Sequence, residues 1–259
     1  MKIAVVSGKG GVGKSLVSAY LFALLSEKEK VVAIDCDVDN PSLRFWLGIE
    51  KFEEEIPLFL SEKAFARDKV EVECPFGAIK GGRIVQSLCH GCGFCREVEG
   101  EKVEMKKVLT GWLRREGNVI WGKLKPGETG SGKIVEELKR YAENVKHKIE
   151  VRDAPAGLGC SVKAALRDAD ISVIVVEPSI SSLMALERMK ELANHFKIRY
   201  VVVMNKVGLN RRLERRIRGR EEVIGEVPYS PQVFNSLQKM KLPEFLKPEF
   251  EKIVEVMGW

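Results

Sequence analysis

The hydrophobic and polar positions of this chain form blocks that predict strands alternating with helices. Segments with apolar residues at helical spacing separate the strand-like runs, and the first of them extends from Leu16 to Ser26. Strands that alternate with helices in this way favour a mostly parallel, doubly wound sheet with helices on both faces. The predicted strands are residues 3–6, 31–34, 149–152, 171–176, 200–204 and 222–227.

A stretch of charged and turn-forming residues interrupts this alternation between residues 51 and 121. We therefore predict one α/β domain formed by residues 1–50 and 122–259, with residues 51–121 as an inserted module. Residues 102–109 and 118–124 are expected to be strands that rejoin the sheet of the larger domain. A length of 259 residues suits one such domain with an insertion.

The loop after the first strand has the sequence GKGGVGKS. A strand, this glycine pattern and a following helix together predict a P-loop. The glycines let backbone N–H groups surround phosphate oxygens at the positive end of the helix. Lys14 is then placed near the β- and γ-phosphates, and the hydroxyl of Ser15 can bind Mg²⁺. We expect the phosphate cradle to consist of Gly8, Lys9, Gly10, Gly11, Val12, Gly13, Lys14 and Ser15.

A second lysine in this loop, Lys9, resembles the loop of the MinD/ParA class of ATPases. That class includes the nitrogenase iron protein and the iron–sulfur carrier ATPases. The resemblance implies a P-loop NTPase fold, a homodimer that forms on ATP, and a Lys9 that reaches the partner's phosphates. A cation supplied in trans is worth roughly 10³–10⁵ in rate in related phosphoryl transfer. Lys9 and Lys14 are therefore expected to be catalytic, and a surface lysine is the alternative for Lys9.

Acidic residues follow two of the predicted strands. Asp35 and Asp37 come after the second strand, where the carboxyl end of a parallel strand faces the phosphate crevice. By the resemblance, Asp35 supports Mg²⁺ and Asp37 orients the attacking water, with a solvated acidic turn as the alternative. Asp153 begins the segment Asp-Ala-Pro-Ala-Gly, which resembles switch II of the same class. The resemblance implies that Asp153 binds Mg²⁺ through water and that Gly157 senses the γ-phosphate.

The end of the strand at 200–204 indicates which base is bound. Asn205 and Lys206 match the first two residues of the base-reading motif of GTPases. Gly208 stands where those proteins carry the Asp that pairs with guanine. We therefore expect ATP, with Asn205 reading adenine and Pro228 in the second wall of the pocket.

Composition and charge restrict the cellular setting. An apolar content of 45% is enough for a core, and no segment has the length and polarity of a membrane-spanning helix. The first strand begins at the N-terminus, so no signal peptide is expected and a cytoplasmic location follows. In that compartment, clustered cysteines hold metal or do redox chemistry more often than they form disulfides.

Four of the six cysteines fall in the insert and follow part of the ferredoxin pattern. Bacterial ferredoxins use C-x₂-C-x₂-C-x₃-C-P twice, and the fourth cysteine of each run binds the other cluster. The positions that would complete a second cluster are Ala64, Arg67, Val70 and Glu99, none of them cysteine. The remaining set is complete for one cluster and consists of Cys74, Cys89, Cys92 and Cys95. We predict a small ferredoxin-like module with one 4Fe–4S cluster, with a Cys₄ zinc site as the alternative.

The other two cysteines are expected to be structural. Cys36 lies between the two aspartates and is predicted to be a small core residue. Cys160 follows switch II, where the nitrogenase iron protein has a cluster-binding cysteine. One such cysteine per chain supplies only two ligands in a dimer, so a buried thiol is favoured over a bridging cluster.

Two charged segments indicate whether the chain binds DNA, another protein or a membrane. Residues 211–220 contain six arginines, and without them the net charge of +6 would be zero. Such a patch can bind DNA, as in ParA relatives, or an acidic protein, and a solvated helix face is the alternative. In the C-terminal helix, Glu249, Glu251 and Glu255 outnumber Lys247 and Lys252. Acidic charge opposes binding to anionic lipid, so no membrane contact is expected.

These features favour an ATPase whose pairing on ATP is coupled to one 4Fe–4S cluster, in electron transfer or in cluster assembly and delivery. Its redox or iron–sulfur partner protein is not specified by any motif. The alternative is a partitioning-type ATPase that binds DNA or protein and carries a structural 4Fe–4S or zinc site.

Overall fold

The computed structural model describes residues 1–259, in which strands and helices alternate along most of the chain. The strands are β1 (Lys2–Ser7), β2 (Val31–Asp35), β3 (Glu54–Leu58), β4 (Ser61–Ala66), β5 (Ile79–Lys80), β6 (Arg83–Ile84), β7 (Val103–Val108), β8 (Gly111–Glu116), β9 (Val119–Leu124), β10 (Ile149–Ala156), β11 (Ile171–Val176), β12 (Arg199–Val207) and β13 (Val223–Pro228). The α-helices are α1 (Lys14–Ser26), α2 (Leu43–Trp46), α3 (Phe94–Glu99), α4 (Ser131–Ala142), α5 (Cys160–Leu166), α6 (Ile180–His195), α7 (Arg211–Arg218), α8 (Gln232–Gln238) and α9 (Lys247–Val256). None of these helices is both long enough and apolar enough to cross a membrane.

Nine strands form one sheet in the order β13-β12-β11-β1-β10-β2-β9-β8-β3. Neighbours from β13 to β9 are parallel, and β8 is antiparallel to both β9 and β3. The prediction of a mostly parallel sheet is thus confirmed. The central strands are buried on both faces, which explains why they are almost continuously apolar in sequence.

Each face of the sheet has its own core of 27 buried residues, so the sheet is doubly wound. Helices α1, α2 and α9 cover one face, where the rings of Tyr20 and Phe250 stack with centroids 4.0 Å apart. Helices α4, α5 and α6 cover the other face. The two layers hold the carboxyl ends of β1, β2 and β10 side by side, and this edge carries the predicted phosphate loop.

A small lobe between β3 and β8 corresponds to the predicted insert, and we call residues 61–108 the cysteine lobe. Its strands form two antiparallel pairs, β4 with β7 and the short β5 with β6. Its core has three buried residues, Ala64, Val70 and Val103, with Cys89 and Cys95 packed against them.

Two expectations about this region are corrected. The predicted strand at residues 102–109 exists as β7, but it pairs with β4 in the lobe and does not rejoin the larger sheet. Strands β3, β8 and β9 all belong to the larger sheet, so the predicted borders at 51 and 121 enclose strands of the larger domain. Strands β3 and β8 sit at its edge and carry many charged residues, which is why they resemble the insert in composition.

Candidate nucleotide site and cysteine loops

The phosphate loop joins the end of β1 to the start of α1 and depends on glycine at two places. Gly13 has φ +99°, and a Cβ there would lie 2.1 Å from Nδ2 of Asn205. A Cβ on Gly8 would lie 2.7 Å from the carbonyl oxygen of Ala185 on α6. The loop is therefore packed between two other elements and is already in place to present its backbone N–H groups.

Lys14 and Ser15 open α1 on the inner side of this loop. Lys14 is only 8% exposed, and the Ser15 hydroxyl lies 3.0 Å from that of Ser42. Asp153, within β10, accepts a hydrogen bond of 2.9 Å from the hydroxyl of Ser18. Asp35 is fully buried at the end of β2, directly beside Asp153 in the sheet. The predicted magnesium residues thus lie at one edge of the sheet.

The carboxylates at this edge are held in an environment that disfavours negative charge. Burial raises the pKa of Asp153 to about 6, although Ser15, Lys14 and Ser18 oppose this change. Burial and the neighbouring Asp153 raise the pKa of Asp35 well above its usual range. Burial also raises the pKa of the half-buried Asp37, against a hydrogen bond from the N–H of Asn40 and the charge of Lys14. A divalent cation would relieve this crowding of carboxylates.

No group of three or more His, Cys, Asp or Glu side chains is arranged to bind a metal ion by itself. This agrees with the chemistry of Mg²⁺, which in nucleotide sites takes one or two protein ligands and completes its shell with phosphate oxygens and water. Ser15 and Asp153, with Asp35 behind them, fit that limited role.

Lys9 does not extend freely into solvent. Its Nζ forms an ion pair with Glu177 at the end of β11, and the Lys9 side chain is 38% exposed. Glu177 also binds Nζ of Lys206 at 2.7 Å, and this Nζ donates to the carbonyl of Gly11 at 2.7 Å. Burial alone would raise the pKa of Glu177, but the two lysines lower it. Sequence reasoning missed Glu177, although its position at the carboxyl end of a strand beside β1 was a usable signal.

A cavity of about 380 Å³ opens beside the phosphate loop. Asn205 and Pro228 both line it, as do the exposed rings of Tyr229 and Phe234. Nδ2 of Asn205 donates to the carbonyl of Val12 at 2.8 Å, which ties the end of β12 to the loop. The structure thus brings the two predicted base-pocket residues to one cavity, whose size and aromatic lining suit a nucleobase.

In the cysteine lobe, the loop of Cys74 faces the loop of Cys89 and Cys92, which leads into α3 with Cys95 as its second residue. The ring of Phe76 in the first loop stacks on the ring of His90 in the second, with centroids 4.7 Å apart. Burial raises the pKa of Cys95, and the neighbouring Cys89 and Cys92 raise it further. Three or more of these thiols are not gathered at a common centre where they could hold a metal ion.

The remaining cysteines gave one confirmed and one wrong prediction. Cys36 is buried in the core, as expected. Cys160 is exposed, so the prediction of a buried thiol is wrong. It is the first residue of α5 and lies in an open groove against Gly132 of α4, whereas the following residues of α5 turn into the core.

The arginine-rich segment forms α7, as predicted. Asn210 caps the helix by accepting from the N–H of Leu213 at 3.1 Å, and the buried Glu214 accepts from the N–H of Gly208 at 2.8 Å. All six arginines of residues 211–220 are exposed, and Arg218 is the one that forms ion pairs, with Glu214 and Glu226. Five guanidinium groups therefore remain without an acidic partner.

The parallel sheet, the glycine loop after β1 and the buried carboxylates of Asp35 on β2 and Asp153 on β10 define a P-loop nucleotide-binding protein. Residues 3–243 match the family described as the CobQ/CobB/MinD/ParA nucleotide binding domain, and the chain belongs to this family. The MinD/ParA resemblance expected from the loop sequence is thereby confirmed.

Three known proteins show how far the similarity extends. The uncharacterized protein MJ0578 of Methanocaldococcus jannaschii is 38% identical over 221 residues, which cover 81% of this chain and 79% of that protein. The septum site-determining protein MinD of Pyrococcus horikoshii OT3, solved with Mg-ADP, has a TM-score of 0.64 at 18% identity and covers 100% of this chain and 96% of that one. The iron-sulfur cluster carrier protein of Pyrococcus abyssi is 49% identical over 53 residues, which cover 20% of this chain and 18% of that protein.

Proposed function

We propose that this protein is a Mg²⁺-dependent ATPase that pairs two copies on ATP and couples this cycle to one 4Fe–4S cluster. The cluster would serve electron transfer or the assembly and delivery of iron–sulfur clusters. The observation that carries the proposal is the facing of two cysteine loops, fixed by the Phe76–His90 stack, in a lobe of a MinD/ParA-type protein.

The nucleotide half of the proposal assigns roles to residues at the edge of the sheet. Lys14 and the loop amides hold the phosphates, while Ser15 and Asp153 hold Mg²⁺ with Asp35 behind them. Asp37 orients the attacking water, and Lys9 of each copy stabilises the phosphates of the other. This last role requires Lys9 to leave Glu177, its partner within the same chain.

The cluster half draws support from the chemistry of the lobe. Four thiols are soft donors that suit an iron–sulfur cluster or zinc, and these thiols lie in two adjoining loops. The backbone N–H of Ala64 donates to Sγ of Cys89 at 3.5 Å, a type of contact that tunes iron–sulfur thiolates. A short match to an iron–sulfur cluster carrier protein, over 20% of this chain, is in keeping with this half of the proposal. The bound group would supply the centre to which the four sulfurs converge.

Anaerobic purification with analysis of iron, sulfide and zinc tests the cluster half. We expect about four iron and four sulfide per chain and a brown colour from thiolate–iron charge transfer. Cys92→Ser should remove the colour and the iron. Cys160→Ser is the matched control, because this exposed cysteine lies outside the lobe. Zinc without sulfide in the parent protein would overturn the cluster assignment.

A second candidate function is a nucleotide-switched protein that grips DNA, in which the cysteine site is structural. The five exposed and unpaired arginines on and after α7 favour it, because such groups bind phosphates and release counterions. Changing Arg211, Arg212, Arg215 and Arg216 to Gln should abolish DNA binding and flatten its salt dependence. A parent protein that does not bind DNA at low salt removes this candidate.

A further inference from the structure

Two serine hydroxyls from different elements meet beside the phosphate loop. Oγ of Ser15, in the first turn of α1, lies 3.0 Å from Oγ of Ser42, which comes directly before α2. Both residues are half-buried, so the pair is neither sealed in the core nor fully open to solvent. The hydroxyl of Ser15 has an expected role as a ligand of Mg²⁺, whereas that of Ser42 has none.

The side chain of Ser42 is not used in the way that is usual at its position. A serine directly before a helix usually accepts a hydrogen bond from a backbone N–H of the first turn, but Ser42 makes no such bond. The N–H of Leu43 donates instead to the carboxylate of Asp35 at 2.9 Å. The N–H of Phe45 donates to the backbone carbonyl of Ser42 at 3.1 Å. These two N–H groups are therefore satisfied without the Ser42 hydroxyl, which contacts Ser15.

The carboxylate of Asp35 also fixes the loop that carries Ser42. Its Oδ1 accepts from the N–H of Asp37 at 3.0 Å, while its Oδ2 accepts from the N–H of Leu43. Both ends of the segment 37–43 are thus attached to one side chain, which is fully buried in the sheet. Because Ser42 is the neighbour of Leu43, its hydroxyl is held in place before a ligand arrives.

The distance between the two hydroxyl oxygens matches the coordination shell of Mg²⁺. This ion demands nearly octahedral oxygen ligands at about 2.0–2.1 Å, so that neighbouring ligand oxygens lie roughly 2.8–3.0 Å apart. The 3.0 Å between Ser15 and Ser42 fits this spacing. Negative charge is close by, because Asp153 accepts from Ser18, which lies three residues after Ser15 on the same face of α1.

We propose that Ser42 is a second protein ligand of the nucleotide-bound Mg²⁺, next to Ser15 in its octahedral shell. Phosphate oxygens and water complete the shell, and Asp153 acts through one of these waters. Ser42 and Asp37 belong to the same fixed loop, so the ion would also hold the residue that is proposed to orient the attacking water. The inference rests on the nucleotide half of the proposed function and does not involve the cysteine lobe.

The number of water molecules on the ion tests this assignment. Mn²⁺ is the probe, because it prefers the same oxygen ligands as Mg²⁺ and gives an electron paramagnetic resonance signal. The full-length protein is saturated with a non-hydrolysable ATP analogue and Mn²⁺. Broadening of the signal in water enriched in a magnetic oxygen isotope then counts the bound waters. Ser42→Ala should show one more water than the parent protein, because water fills the vacated position.

The affinity for the ion is measured on the same samples. Ser42→Ala should weaken the binding of Mn²⁺ to the complex with the analogue by about tenfold, the lower end of the losses caused by changes around metal sites. Its unfolding midpoint without metal should stay close to that of the parent, because the start of α2 does not use this hydroxyl. Ser26→Ala is the matched control, because Ser26 is the exposed last residue of α1.

The outcomes separate this inference from the proposed function. A parent protein that binds no Mn²⁺ together with the analogue overturns the nucleotide half of the proposed function, and the role of Ser42 with it. If the parent binds both, and Ser42→Ala has the same number of bound waters as the parent, the role of Ser42 alone is overturned. Its contact with Ser15 is then only a hydrogen bond between two hydroxyls.

Discussion

The phosphate loop and the cysteine loops are built in different ways. The phosphate loop is made mostly of backbone, and it lies between two cores of 27 buried residues each. The cysteine loops depend on side chains and rest on a core of three buried residues. The first site therefore exists before its ligand arrives, whereas the second has its thiols nearby but not assembled. Small cores are marginal, and a bound metal group commonly supplies the missing stability.

Loss of the Lys9 ammonium should give the largest effect on the preformed site. Lys9→Ala should lower ATP turnover by roughly 10³-fold or more, as for other cations supplied in trans, while the affinity for ATP hardly changes. Steady-state hydrolysis and a titration with a fluorescent ATP analogue measure the two quantities. Lys28→Ala, an exposed lysine on the same domain, is the control. Unchanged turnover in Lys9→Ala would argue against pairing across the nucleotides.

Replacing Lys14 should weaken the binding of ATP, and not only its hydrolysis. Its ammonium is almost fully buried beside the loop, and truncating a buried charged partner costs about 2–5 kcal/mol. Lys14→Ala should therefore weaken ATP binding by roughly 30-fold or more in calorimetric titrations. Retained affinity would contradict the assignment of Gly8–Ser15 as the phosphate cradle.

The weakness of the lobe core can be tested through Val103. This residue is fully buried on β7, and removing its two methyl groups should cost about 2 kcal/mol. Val103→Ala should make the cysteine lobe sensitive to limited proteolysis without a change in ATP affinity. Cluster loading should restore much of the protection, and a loss of ATP binding would show that the two regions are not independent.

The smallest expected effect is that of the Asp168 carboxylate on the stability of the larger domain at acid pH. Burial alone would raise the pKa of Asp168, but Arg152, Lys139 and Lys2 hold it well below its usual range. The folded pKa lies below the unfolded value of about 3.9, so the stabilisation is present above that pH and is lost as the pH falls below it. Asp168→Asn should lower the urea midpoint of unfolding at neutral pH. As the pH falls below about 4, the midpoint of this variant should decline less than the midpoint of the parent protein. Asn tolerates the left-handed backbone of this position, where φ is +66°. Identical pH profiles for the two proteins would refute this role.

The larger domain was predictable because its signals are local. The strands before Gly8 and Asp35 are short, almost continuously apolar runs, and both lead directly into the glycine loop or the aspartates of the site. Strand β3, at the edge of the sheet, and its neighbour β8 escaped prediction because only part of their surface is buried, so they carry charged residues. The pairing of β7 with β4 depends on contacts between residues distant in sequence, and no local pattern encodes it.

The residues of the candidate sites show the same contrast between local sequence signals and contacts made by distant parts of the chain. Lys9 was identified from the loop sequence, but its ion pair with Glu177 joins residues far apart in the chain. The exposure of Cys160 depends on which side of α5 its first residue faces, and a segment of seven residues is too short to show this.

Glu177 pairs with both Lys9 and Lys206, and this would affect how the proposed enzyme behaves at low protein concentration. A solitary molecule would keep its own Lys9 paired with Glu177, so by the proposed mechanism it would bind ATP without hydrolysing it. Hydrolysis would then grow with the square of protein concentration until encounters become frequent. The rate per molecule would report local crowding, and ATP would be consumed chiefly where many copies are recruited to one place.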